Sequence, residues 1–369
     1  MSSGSEHGAP SVSPSEDRRQ TVELTVRAAT TGRVLFGTEG GTLYRADGFR
    51  IFRSTDRGES WVQFLACPGG TVSSVTRYSR IATRFLRQEV RALLPTGDGG
   101  HVAATRSGIF HSAAGEMHMR PADVEAGHRK VQPPTSLCAG PDGRVVWGEY
   151  WRNLNRKFMR LYGSDDGGRS YREIHRFADG EIRHVHGLLY DEGLEKYWVF
   201  VGDHGSEPGI GLLDADWNHF EWIHKGEQHH RLVAAFDLGD HLLYATDTEK
   251  EANAVYRLDK ASGELQRVAE IDGSCIYGCR TGRGFLFSTS AEPRDDNSPQ
   301  VASLWHSSDG DSWRRIYSVA KDRWQANFFQ FGSLVLPRGS LPDGFVAFSG
   351  QAVEGIDGEL LMGTLDLVS

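Results

Sequence analysis

The chain reads as an all-β protein, a β-propeller of about seven four-stranded antiparallel blades around a central channel. Three observations carry this: a recurring strand–turn–strand unit, glycine-rich turns at regular intervals, and no long amphipathic helical stretch. The chain has 369 residues, 44 of them glycine, and aromatic residues make up 10%. Short apolar runs punctuated by glycine are what many strands joined by tight turns require.

The repeated second strands are Arg33–Gly37, His101–Thr105, Arg144–Gly148, Tyr197–Gly202, His241–Thr246, Gly284–Thr289 and Gly344–Ser349. Their spacing is mostly about 45 to 50 residues, which is the propeller range. Between first and second strands lie turns such as Gly97–Gly100, Pro141–Gly143 and Leu238–Asp240. Glycine and aspartate accept the positive φ that tight hairpins demand. Residues 21–369 therefore form one propeller domain. Pro68–Gln88 stretches the first interval and reads as an insertion, and the polar segment 1–20 reads as a disordered tail.

Composition narrows the function. The formal net charge is −8 and no basic block stands out, which argues against nucleic acid as a partner. No run reaches the roughly 18 apolar residues of a membrane span. The N-terminus lacks the apolar core of a secretory signal, so a cytoplasmic monomer is expected. Cys67, Cys138, Cys275 and Cys279 are scattered and match no zinc-site spacing, so they read as buried thiols. No cofactor is expected.

Three segments share a sharper pattern: Ser54–Trp61, Ser164–Tyr171 and Ser307–Trp313, each reading Ser-x-Asp-x-Gly-x-Ser-Trp/Tyr, the third one residue short. The pattern resembles the Asp box, or BNR repeat, of sialidase-type propellers. There the aspartate accepts backbone N–H bonds in a hairpin, the glycine takes positive φ, and the aromatic packs between sheets. The resemblance implies a carbohydrate-active propeller whose Asp boxes lie opposite the functional face. It is to the superfamily rather than to true sialidases: Phe49–Phe52 lacks the proline of their Arg-Ile-Pro motif and runs straight into the first box.

On the predicted functional face, loops after second strands meet the segments that lead into each blade. The catalytic candidates there are His184, His186, Asp203, Asp247 and Tyr150. The substrate-binding candidates are Arg183, Arg231, Trp151, Glu207, Glu249 and Asn253. Two carboxyl groups among Asp203, Glu207, Asp247 and Glu249 would serve a glycoside hydrolase. A lyase acting on a uronate-containing polysaccharide needs instead a cation for the carboxylate, a base and an acid. Arg231 or Arg183, His184 or His186, and Tyr150 fit those roles by type. Trp151 suits sugar stacking. The partner is then an oligo- or polysaccharide, an anionic one included; a propeller that binds glycan or protein without catalysis is the alternative. A metal site drawn from His184, His186, His204, His229 and His230 is a third possibility, but no metal-ligand spacing supports it beyond the two-apart pair His184 and His186, so no metal is expected.

Overall fold

The computed structural model describes residues 21–69, 79–125, 127, 129–248, 251–292 and 300–368, so the expected tail 1–20 lies outside the described residues. The fold is an all-β propeller, but its sheets are not about seven separate four-stranded blades. The described strands hydrogen-bond into six sheets. Five of these are single four-stranded antiparallel units, one of which gains Asp123–Val124 as a parallel edge strand; the sixth is a continuous nine-stranded sheet.

The merger has a definite cause. Strand Arg338–Leu341 pairs in parallel with Arg33–Gly37 on one side (Phe36 opposite Arg338) and with Cys275–Thr281 on the other (Arg280 opposite Ser340). It zips two antiparallel stacks into one sheet. Sequence periodicity reports repeats but is silent on which edges of neighbouring repeats share hydrogen bonds. Arg33–Gly37 is also corrected in place: it is the first strand of its antiparallel stack, not the second, and it borders the central cavity. With Leu43–Asp47 as the second strand the first interval shortens, and the segment Pro68–Gln88 supplies the remaining excess.

Chain ends meet in one sheet. Thr21–Thr31 pairs antiparallel with Glu359–Val368, which continues through Phe345–Gln351 to Ser333–Val335 at the axis. The core lies between sheets rather than within one layer. Trp147 and Tyr162 stack with ring centroids 4.5 Å apart, and Tyr171 meets Trp147 edge-on. Trp198, Phe200 and Tyr244 fill the next gap, fully buried. Burying each such side chain stabilises the fold by about 1.5–3 kcal/mol.

The three Ser-x-Asp turns each join a third strand to a fourth. Asp56 accepts from the Ser60 amide at 3.0 Å, Asp166 from Ser170 at 3.0 Å, and Asp309 from Ser312 at 2.8 Å. Gly58, Gly168 and Gly310 all have positive φ, at 87°, 88° and 83°. Trp61 and Trp313 pack against the apolar core. Because strands alternate in direction, these turns sit at the opposite end of the sheets from the loops that follow second strands.

Within Pro68–Gln88, helix Arg80–Leu86 is capped by Ser79. Its buried Arg84 reaches the Phe329 carbonyl, Asp322 and Asp357. The helix is thereby fixed against the short helix Ala326–Phe329 beside the cavity.

Two predictions follow from this packing. Gly339 has φ +84°, and a Cβ there would lie 2.3 Å from the Gly37 carbonyl oxygen. Gly339→Ala should cost about 1–3 kcal/mol in a urea titration, from strain and clash together. His101 and His230 are buried, and burial pushes their pKa values down from 6.5 to about 4 and about 3. The unfolded chain then binds more protons in this window, so stability is full above about pH 6.5 and falls as the pH drops toward 4. Urea midpoints at pH 7 and pH 5 measure the loss; equal midpoints would contradict it.

Candidate functional site

A cavity of about 700 Å³ occupies the axis, bordered by residues from the inner strands of the surrounding sheets. Six arginines line it, Arg33, Arg87, Arg91, Arg152, Arg231 and Arg338, against three carboxylates, Glu89, Asp203 and Asp247. Positive charge therefore dominates the channel of a chain whose net charge is −8. The side chains of Arg91 and Arg338 make no hydrogen bond or ion pair among the described residues. Burial among the neighbouring guanidiniums Arg87 and Arg33 pushes Arg91 down to about 10, and burial lowers Arg338 as well. Arg33 is better held, by Tyr277 at 2.9 Å, Gln351 at 2.7 Å and Glu89 at 3.7 Å.

On one wall the sequence candidates gather around Asp203. This residue follows strand Lys196–Val201, while Arg183, His184 and His186 lead into strand Val185–Asp191 of the same sheet or lie at its start. Two-residue spacing on an extended chain turns both histidines to one side. Arg183 Nη1 donates to Asp203 Oδ2 at 2.8 Å. Both His184 Nε2 and His186 Nε2 lie 3.2 Å from Oδ1, and 3.0 Å from each other. Arg231, leading into the next sheet, sits between two carboxylates, its Nη2 3.3 Å from Asp203 Oδ1 and 3.3 Å from Asp247 Oδ2. Gln228 adds a bond to the Asp203 carbonyl at 3.2 Å.

The electrostatics follow from that clasp. Burial alone would raise the Asp203 pKa, but hydrogen bonds from both histidines and their charge drive it far below the ordinary carboxylate range. Asp203 is ionised at any working pH. Burial lowers the His186 pKa to about 4, against the opposing pull of Asp203. Tyr150 packs on the His184 ring, tilted, with centroids 4.2 Å apart, and it borders the cavity, 38% exposed. Burial in the channel, and then the Asp203 and Asp247 charges, push its phenol up to about 12.

Tyr150, His186, Asp203, Arg231 and Asp247 line the cavity, and His184 stands directly behind them. Arg183 joins the cluster through Asp203. The remaining candidates have other duties. Trp151 packs into the core beside Met159, with Nε1 3.2 Å from its sulfur, and offers no stacking face to the cavity. Asn253 spends its side chain holding its own loop, accepting from Thr246 and Thr248 and donating to the Thr248 carbonyl. Glu207 is buried and ion-paired with Arg156. Glu249 lies outside the described residues.

Reading the sequence missed Arg33, Arg91 and Arg338. The signal was present: a charged residue on an axial strand has only the channel to face. The rule that singles out His184 and Arg231 extends to Arg91, in the otherwise apolar Val90–Pro95.

No known protein family matches the chain, and no curated protein does. Solved structures do match its fold. A chain of the mitotic checkpoint complex aligns with a TM-score of 0.58 at 12% identity, over 99% of this chain and 98% of that one. An ancestral GH74 enzyme aligns with a TM-score of 0.52 at 14% identity, over 91% of this chain and 46% of that one. At these identities the likeness is one of fold, and it defines the class: a β-propeller with a distant glycoside hydrolase among its structural neighbours.

Asp203→Ala would remove one of the two carboxylates beside buried Arg231 and take from Arg183 its carboxylate partner. The expected cost is about 3 kcal/mol, the lower end for breaking a buried ion pair. Chemical denaturation of the purified variant measures it; a loss under about 1 kcal/mol would mean that the clasp is solvated and weak.

Proposed function

We propose that this propeller binds a uronate-containing polysaccharide in its central channel and cleaves it by β-elimination. The observation that carries the reading is the channel's excess of arginine over carboxylate beside a histidine–tyrosine wall. Arg91, Arg338 and Arg231 supply the positive charge that a sugar carboxylate requires. Neutralising that carboxylate acidifies the adjacent C5 proton. His186 takes the proton at Nε2, since its Nδ1 faces the Leu232 carbonyl at 3.2 Å and must carry the ring hydrogen. The C5–H electrons become the C4–C5 double bond, the C4–oxygen bond breaks, and Tyr150 donates its phenolic proton to the departing oxygen.

A retaining or inverting hydrolase is less well supported. It needs one protonated carboxylic acid beside one carboxylate. Asp203 and Asp247 instead share Arg231, and Asp203 pairs with Arg183 as well, an arrangement that keeps carboxylates ionised.

The test is a panel of acidic and neutral polysaccharides, followed by the ultraviolet absorbance of the unsaturated product, which elimination makes and hydrolysis does not. Tyr150→Phe should lower turnover by about 10²-fold or more with little change in melting temperature, and His186→Ala by as much per folded molecule. Arg91→Ala should chiefly raise KM. Binding of acidic glycan without unsaturated product from the wild-type chain would favour a non-catalytic binding propeller. Reducing ends without ultraviolet absorbance would restore the hydrolase.

A further inference from the structure

We propose that His184, His186 and Asp203 form a site for one divalent transition-metal ion, with Zn²⁺ as its type. Two histidine Nε2 atoms and one carboxylate oxygen converge on a point, with edges of 3.0, 3.2 and 3.2 Å. The far nitrogen of each ring fixes what these atoms carry. His184 Nδ1 lies 3.0 Å from the Trp151 carbonyl and His186 Nδ1 lies 3.2 Å from the Leu232 carbonyl. A carbonyl only accepts, so both Nδ1 atoms bear hydrogen, and an ion entering the triangle displaces the hydrogens that the Nε2 atoms otherwise share with Asp203. Three donor atoms then face one point.

The spacing suits a metal. An ion held about 2.0–2.1 Å from each nitrogen and a similar distance from the oxygen puts its donors about 3.0–3.4 Å apart at octahedral or tetrahedral angles. A ring N–H donated to a backbone carbonyl is the usual outer shell of a metal-bound histidine. Two imidazoles and one carboxylate favour zinc-like ions over magnesium or calcium. His186 and Asp203 border the cavity, so the ion has a way in and coordination positions left open. The charged and polar groups facing the triangle are Arg183, Arg231, Asp247 and Tyr150. The two guanidiniums oppose the ion, so its affinity falls below that of a closed structural zinc site.

One consequence rests on the elimination reading above. The ion and the C5 proton compete for the same His186 lone pair, so the metal-loaded chain holds acidic glycan without cutting it.

The experiment strips the full chain with a chelator and dialyses it against Zn²⁺. One ion per chain is expected, with affinity reduced at least about 10²-fold in His184→Ala and in His186→Ala, and unchanged in the exposed control His219→Gln. Circular dichroism verifies each fold. Because a variant can fail to fold, Co²⁺ is also added to the wild-type chain, where visible d–d absorption is expected on ligation. No saturable uptake, uptake unaltered in both variants, or no Co²⁺ absorption would overturn the site. Zinc uptake by a chain that cleaves no uronate leaves the metal site standing and removes the elimination reading; cleavage without uptake does the reverse.

Discussion

An ionised carboxylate only 7% exposed has to be surrounded by positive charge and donors, and Asp203 organises its wall of the channel on that account. Its demand for partners draws Arg183, His184 and His186 from its own sheet and Arg231 from the next, and through Arg231 it reaches Asp247. Two adjacent sheets are thereby joined by charge at their axial edges. The same clasp holds the Asp203 carboxyl down and helps push the Tyr150 phenol up. It also explains why polar side chains cluster at positions where an ordinary axial strand would be apolar.

Much of the fold was legible because its elements are local. Alternating apolar residues, Gly/Asp turns and the Ser-x-Asp hairpins each act within ten or so residues, and the strands at His241–Thr246 and Gly284–Thr289 lie where the pattern put them. The blade count was not legible. It depends on Arg338–Leu341 pairing across to Phe36 and Arg280, contacts some 300 and 60 residues away that leave no periodic trace. The placement of Arg33–Gly37 failed for a related reason: a first strand and a second strand have the same composition.

The site was partly legible in the same sense. Polar residues on axial strands pointed to His186, Asp203 and Arg231, which line the cavity together. Loop residues were harder, because a loop carboxylate or amide serves its own backbone as readily as a ligand. Asn253 and Glu207 illustrate this, each consumed by a neighbour close in space. Trp151 shows that an aromatic beside a polar loop can turn inward, here to the core around Met159.

The pairing of Thr21–Thr31 with Glu359–Val368 bears on how the molecule comes to be folded. Every other four-stranded unit is assembled from strands near one another along the chain. This one joins positions more than 300 residues apart, with Thr21 opposite Val368. Closing so long a loop is entropically slow. During synthesis the earlier sheets can form in succession, but the ring stays open until its final strand has left the ribosome. Opening it again requires breaking a long antiparallel ladder in one step, so the clasp lends the ring persistence in time as well as stability at equilibrium.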